Sequence, residues 1–372
     1  MAMKSKAESP SSGRPARAAP RLNGYSPSQA AKLIEAAGLR YVTTDALTIT
    51  RKRSGASFSY VDKRGKTIPP GPLRARLRSL AVPPAYEQVF YAEDARAHIQ
   101  AIGRDAAGRQ QYRYHPDWAR VREAVKAEHL VQLAKSLPRI RRNIGRHLAG
   151  RTPSREFALA AVIELVGRSA IRAGGEAYVR AHGTRGAATL RKSHVGIEGD
   201  LITLTFPAKS GQTVHREVRA PRLARALRVL QRLPGRRLFQ YRDEDGTVRR
   251  VRRRQVNAFL QELAGVDITL KDFRTLIACA AVTHALAVMA PAPSQRRRRK
   301  QVLDAVRIAA GELANTPAIC RKSYVHDTVV SAFEEGMLQR FSDQLKRSRS
   351  LAAREKVLAS IISAAQRPGR AA

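Results

Sequence analysis

A chain of 372 residues with 69 Lys and Arg against 30 Asp and Glu carries a formal net charge of +39. That excess points to a polyanion, a nucleic acid rather than an anionic membrane surface, because phosphate neutralisation and counterion release drive such binding. With only Cys279 and Cys320, no metal-ligand spacing and no apolar run of membrane-span length, the sequence excludes a disulfide framework and a bilayer-crossing helix, and suits a reducing cytoplasm.

The length suits two domains, and 43% hydrophobic residues suffice for real cores. Residues 1–24, rich in Ser, Pro, Ala and Arg without an apolar stretch, read as a flexible basic tail. Ser26-Pro27 predicts the start of a short helix through Ala30, Leu33 and Ile34, stopped at Gly38. Alternation then predicts strands at 47–50, 58–61 and 66–68, separated by Ser54-Gly55 and by a turn over 62–65. A helix over 73–80 ends at Pro83-Pro84, and strands follow at 89–91, 98–102 and 110–114. Residues 25–116 are thus expected to form a small antiparallel β-sheet domain.

Helical spacing takes over from Trp118. Leu130, Leu133, Leu137 and Ile140 share one face, and Thr152-Pro153 looks like the cap of a second helix running to Ile171-Arg172, with Gly174-Gly175 as its stop. Ile202, Leu204 and Phe206 alternate with threonines, and Val214, Arg216 and Val218 alternate across the turn at Lys209-Ser210-Gly211, which puts Lys209 at a hairpin tip. Helices are expected over 222–233, 255–264, 273–289 and 302–313, with Pro291 to Ser294 and the charge run Arg296 to Lys300 between the last two. Residues 117–345 therefore form a larger, mainly helical domain with a small hairpin sheet, and 346–372 a basic tail. The fold class is α+β.

A phenol is a poor nucleophile at neutral pH unless cations stabilise its anion. Tyr324 follows Arg321 and Lys322 in a chain built for a polyanion, so the target to consider is a phosphodiester. Metal-free attack on phosphorus needs two arginines on the non-bridging oxygens, an acid for the leaving oxygen and a further donor. Arg172, Lys209, Arg274, Asn315 and Tyr324 occur in that order. Singly, each cation reads as a solvated or phosphate-contacting group rather than a catalytic one, and Tyr324 as a packing residue.

Local motifs turn this order into a resemblance. The stretches Leu80-Ala81-Val82-Pro83-Pro84-Ala85-Tyr86, Gln100-Ala101-Ile102-Gly103-Arg104-Asp105, Gln111-Tyr112-Arg113-Tyr114-His115-Pro116, Ile171-Arg172-Ala173-Gly174, Thr189-Leu190-Arg191-Lys192-Ser193-His194-Val195, Ala208-Lys209-Ser210-Gly211, Lys271-Asp272-Phe273-Arg274-Thr275 and Asn315-Thr316-Pro317 through Tyr324 resemble the type IB DNA topoisomerases of poxviruses and bacteria. The likeness spans the chain from about Gly38 to Tyr324 and implies the catalytic fold shared with tyrosine recombinases. It implies that Tyr324 forms a 3′-phosphotyrosyl bond, that Arg172 and Arg274 bind the scissile phosphate, and that Lys209 is the general acid for the 5′ oxygen. Asn315 stands where poxviral and nuclear members usually carry histidine; it donates a neutral hydrogen bond but cannot become a cation. Relaxation of both supercoil signs would need no ATP, no cofactor and no obligatory metal. Duplex DNA is the implied partner of a monomer in the cytoplasm, at the nucleoid.

Gln111, Tyr112 and Tyr114, Tyr178, and Lys271 fall at or near positions where the family approaches DNA; for the tyrosine pair, cross-strand packing is the competing reading. His115, His194 and His326 read as ordinary histidines, Asp105 and Asp272 as structural partners of cations, and Cys320 as a packing residue. A tyrosine recombinase is the rival enzyme, but its usual histidine three residues before the second arginine is Lys271 here. A non-catalytic basic DNA-binding protein explains the charge and not the ordered set.

Overall fold

A computed structural model describes residues 27–347 and 350–365. The tail expected over 1–24 lies outside them. Contacts divide the chain into two units, Met1–Arg122 and Glu123–Ala372. The architecture is α+β, with an antiparallel sheet in the first unit and helices around smaller sheets in the second.

The first unit opens with helix α1 (Pro27–Ala36), whose Ala30 and Ile34, one turn apart, are buried. Strands β1 (Ile49–Ser54) and β2 (Ser57–Val61) form a hairpin around Gly55 at φ 58°. Helix α2 (Pro72–Ser79) starts with proline, and β3 (Glu87–Tyr91), β4 (Ile99–Arg104) and β5 (Gln110–Tyr114) complete an antiparallel sheet in the order β2-β1-β3-β4-β5. Arg51 leaves β1 to donate to the carbonyls of Val82, Pro83 and Tyr86 at 2.8, 3.0 and 2.7 Å, pinning the proline-rich loop. Apolar clusters around Ile49, Leu77, Tyr91 and Ala101, and around Leu47, Ala97 and Ile99, form the core.

His98 is buried between Tyr41 and Trp118. Its Nδ1 lies 3.2 Å from the Val42 N–H and 3.4 Å from the Arg40 carbonyl. Burial depresses its pKa to about 4, against a smaller upward pull from the Arg40 carbonyl. The unfolded chain therefore binds a proton between about pH 6.5 and 4 that the folded chain refuses. Stability from this group is full above pH 6.5 and falls as pH drops towards 4. Melting followed between pH 7 and 4 is expected to show this loss, and His98→Gln is expected to flatten it; an identical slope in the variant would contradict it.

Helix α3 (Trp118–His147) carries the boundary between the units and runs on through Pro138. Leu130, Leu133, Leu137 and Ile140 are buried along it, as their spacing predicts. Helix α4 (Arg155–Ser169) is buried on nearly every side, the signature of a helix at the centre of a core. Its cap is Ser154, whose Oγ accepts from Phe157 N–H at 3.2 Å, and not the expected Thr152-Pro153. Its stop is Ala170 at φ 54°, so Ile171 and Arg172 lie beyond the helix and not on it.

After α5 (Glu176–His182) comes a sheet of three strands, β6 (Val195–Glu198), β7 (Leu201–Pro207) and β8 (Thr213–Arg219), in that order. The expected hairpin is β7-β8, with Leu204 opposite Arg216. Helix α6 (Pro221–Gln231), the short pair β9 (Gln240–Arg242) and β10 (Val248–Arg250), and α7 (Arg253–Ala264) lead to the apolar α8 (Leu270–Ala287). Helix α9 (Gln295–Leu313) begins earlier than expected. Ser294 caps it by accepting from Arg297 N–H, so the Arg296 to Lys300 run belongs to its first turns and not to a linker.

Helices α10 (Pro317–Ser323), α11 (Asp327–Glu334), α12 (Ser342–Arg347) and α13 (Leu351–Ala365) close the unit. The tail expected from 346 is over 351–365 a packed helix against α8 and α11. Val357, Leu358, Ile361 and Ile362 are buried there. No described helix is long and apolar enough to cross a membrane.

Candidate active site

Arg172 sits in the irregular segment after α4, whose backbone is held by the 3-10 turn Ala187–Thr189. Its carbonyl accepts from Ala187 N–H at 2.8 Å, and the Ala173 carbonyl from Ala188 N–H at 2.9 Å. The approach depends on Gly186, where an added Cβ would lie 2.3 Å from the Arg172 carbonyl oxygen. Gly186→Ala must push the Arg172 segment away. It is expected to cost about 1–3 kcal/mol of stability, the usual penalty of overpacking, and to slow chemistry further by displacing the guanidinium. Melting and single-turnover assays check this; an unchanged rate would mean that Arg172 tolerates the shift.

Arg274 is one charged side chain in an apolar helix, 3% exposed. Its Nη1 donates to the Ala170 carbonyl, its Nη2 to the Leu313 carbonyl at 3.1 Å, and its Nε to the Tyr324 hydroxyl at 3.3 Å. The guanidinium carbon also stands 5.0 Å from the tyrosine ring centroid. Arg172 donates through Nη2 to Asn315 Oδ1. With that oxygen engaged, the Asn315 Nδ2 group is buried and has no partner among the described residues. The structure thus brings Arg172, Arg274, Asn315 and Tyr324 into one cluster. Lys209 is exposed in the turn Lys209–Gly211 at the tip of β7-β8, and no hydrogen bond among the described residues joins it to the other four.

Burial raises the phenol pKa of Tyr324, but the charge and hydrogen bond of Arg274, then Arg172 and Lys271, outweigh it, so the net shift is downward from 10.0. Arg172 is itself held below its ordinary value by burial and by repulsion from Arg274. Neither arginine forms an ion pair with a carboxylate among the described residues. Two half- to fully buried guanidinia with no anion between them favour any ligand that brings negative charge to the tyrosine oxygen.

Residues not foreseen from sequence hold the backbone around Tyr324. The Cys279 thiol donates to the Tyr324 carbonyl at 3.0 Å and accepts from His326 N–H at 3.3 Å. Burial pushes that thiol up to about 12, which keeps it a donor. Lys126 Nζ donates to the Val325 carbonyl at 3.2 Å, and His326 Nε2 lies 3.0 Å from the Glu123 carbonyl. Such partners, far apart in the chain, leave no local signal; the burial of Cys279 in an apolar helix was the only hint.

Of the remaining candidates, those on β5 have neighbours within their own unit, and the other two are exposed. Gln111 donates to Asp105 at 2.9 Å, and Tyr112, Tyr114 and Trp118 stack in series. Burial lifts the Tyr114 phenol to about 12. Tyr178 on α5 is 59% exposed, and Lys271 is exposed on the first turn of α8. Asp272 reaches back to the capping residue of α8, accepting from Thr269 N–H at 2.7 Å.

A family model for the catalytic core of eukaryotic DNA topoisomerase I matches residues 116–351, and one for the N-terminal domain of bacterial DNA topoisomerase IB matches residues 57–105. The chain is 32% identical to DNA topoisomerase 1B of Acanthamoeba polyphaga mimivirus over 293 residues, covering 77% of this chain and 87% of the viral one. It is 22% identical to DNA topoisomerase 1B of vaccinia virus over 258 residues, covering 67% and 76%. A family match over most of the helical unit, a second within the β-rich unit and a relative aligned over most of its length lead to one conclusion: the chain belongs to the type IB DNA topoisomerases.

Proposed function

We propose that this enzyme relaxes positive and negative supercoils by cutting one strand of duplex DNA, letting it rotate, and resealing it. The observation that carries the reading is the pair Arg172 and Arg274, uncompensated by carboxylates: Arg274 donates to the Tyr324 hydroxyl, and the charge of Arg172, which is bonded to Asn315, also acts on that phenol. Tyr324 Oη attacks phosphorus and its proton passes to solvent. The P–O5′ bond breaks, and the leaving oxygen takes a proton from Lys209. Arg172 and Arg274 hold the non-bridging oxygens, on which charge grows in the transition state. The free Nδ2 group of Asn315 is the neutral donor to one of them.

The phosphotyrosyl linkage keeps the energy of the broken phosphodiester, so resealing by the 5′-hydroxyl needs no ATP. The cations and neutral donor named here do the chemistry without an obligatory metal or cofactor. Residues 25–116 serve as a DNA-facing domain. The catalytic domain from 117 extends through the packed α13 to 365. Gln111, Tyr112, Tyr114, Tyr178 and Lys271 are assigned to DNA contact, and the enzyme acts as a monomer at the nucleoid. Supercoiled plasmid of either sign, incubated in EDTA without ATP, is expected to relax, and denaturant is expected to trap the chain on the 3′ side of the nick. Unchanged topology, or attachment to a 5′ end, refutes the reading.

A further inference from the structure

Strand β8 turns Val214, Arg216 and Val218 to the same side, and the two valines are 5% and 7% exposed. Opposite Arg216 in the ladder stands Leu204, fully buried. An arginine in such a row needs a polar destination. Its Nη2 donates to the Gly311 carbonyl and, at 2.9 Å, to the Glu312 carbonyl. These are among the last carbonyls of α9, at the negative end of its dipole; that of Gly311 also accepts from the capping Ala314 N–H at 3.3 Å. The same helix end serves the site: Leu313 accepts from Arg274, and Asn315 from Arg172. Residues 311–315 are thus held by three arginines, which line one small crevice with Glu312 and Leu313.

We propose that Arg216 is a positioning residue. It locks the Lys209 hairpin to the carbonyl end of α9 and so sets the lysine in register with the two arginines at Tyr324. The inference rests on reading Lys209 as the acid for the leaving oxygen. Arg216 lies three residues beyond Thr213, where β8 begins, about 10 Å along the strand from the turn. A small rotation about this anchor moves the lysine by ångströms, enough to impair proton transfer. The fold does not depend on the anchor, because Ile202, Leu204, Phe206, Val214 and Val218 bury the inner face of the hairpin.

The test compares single-turnover adduct formation on a duplex with an ordinary 5′ oxygen and on one with a 5′-bridging sulfur, which leaves as a thiolate without a proton. The chains are the parent, Arg216→Met, Arg216→Lys and Lys209→Ala. Arg216→Met is expected to slow the oxygen substrate about 10- to 100-fold, within the range of lost acid catalysis, to leave the sulfur substrate within about threefold, and to melt like the parent. Equal slowing on both substrates, or none on oxygen, overturns the role of Arg216. Should the Met variant unfold, Arg216→Lys decides: its oxygen-to-sulfur rate ratio must fall below the parent's, and an unchanged ratio overturns the inference. If sulfur fails to rescue Lys209→Ala, the acid reading is wrong and the inference falls with it. If sulfur rescues Lys209→Ala but not Arg216→Met, only the role of Arg216 is refuted.

Discussion

Tyr324→Phe is expected to form no covalent DNA adduct and to leave supercoiled plasmid unrelaxed, a loss on the order of 10⁴-fold or more, as for removal of other enzymatic nucleophiles. Non-covalent affinity is expected to stay within about twofold, because phosphate contacts from cations set it and none is removed. The fold is expected to survive. The hydroxyl receives one bond, from Arg274 Nε at 3.3 Å, and the phenyl ring keeps its place 5.0 Å from the guanidinium carbon. Losing that bond costs about 0.5–1.5 kcal/mol. Gel analysis of plasmid topology, adduct trapping and a salt titration of binding separate the three effects. Residual relaxation in the variant would mean that another group attacks phosphorus, and weakened binding alone would mean that Tyr324 is a DNA contact.

What the sequence revealed and what it hid follow from the range of the forces involved. Arg274 was visible as a lone cation inside an apolar helical pattern, and Tyr324 as a phenol among cations. Arg172 gained its meaning only from order and motif, since nothing local distinguishes it from the other basic residues. The sequence places the end of α4 too late because Gly174-Gly175 is the stronger local stop. The helix leaves at Ala170, whose carbonyl is taken by Arg274, a partner 104 residues away. The sequence places the start of α9 too late because four successive arginines at a helix N-terminus oppose the dipole. Burial of Val302, Ala305, Val306 and Ala309 further along overrides that local preference. The same competition explains α13, where basic flanks suggested a tail but Val357, Leu358, Ile361 and Ile362 find a core. Strands β6, β9 and β10 are three or four residues long, too short for alternation to register. The thiol and lysine that hold the Tyr324 and Val325 carbonyls depend on contacts spanning 45 and 199 residues.

Arg274 ties two buried carbonyls to the Tyr324 hydroxyl, and its replacement is expected to damage both stability and chemistry. Three of its five donors are committed, to Ala170, Leu313 and Tyr324, which leaves two N–H groups for an incoming phosphate. Arg274→Ala abandons two carbonyls on residues that are 3% and 2% exposed. Each lost partner costs about 1–3 kcal/mol, and a cavity remains beside Tyr324. Single-turnover cleavage is expected to fall about 10³-fold, since the variant loses both the proposed clamp on the non-bridging oxygens and the strongest influence lowering the phenol pKa. Arg274→Lys keeps the charge and part of the volume, so it is expected to melt closer to the parent. It cannot reach Ala170, Leu313 and Tyr324 with the fixed fork of a guanidinium, and cleavage is still expected to drop about 10²-fold. The pair of variants therefore separates charge from geometry. If Arg274→Lys cleaves within about threefold of the parent, the site needs only a cation. If it cleaves like Arg274→Ala while melting like the parent, the planar donor array is what the phosphate requires.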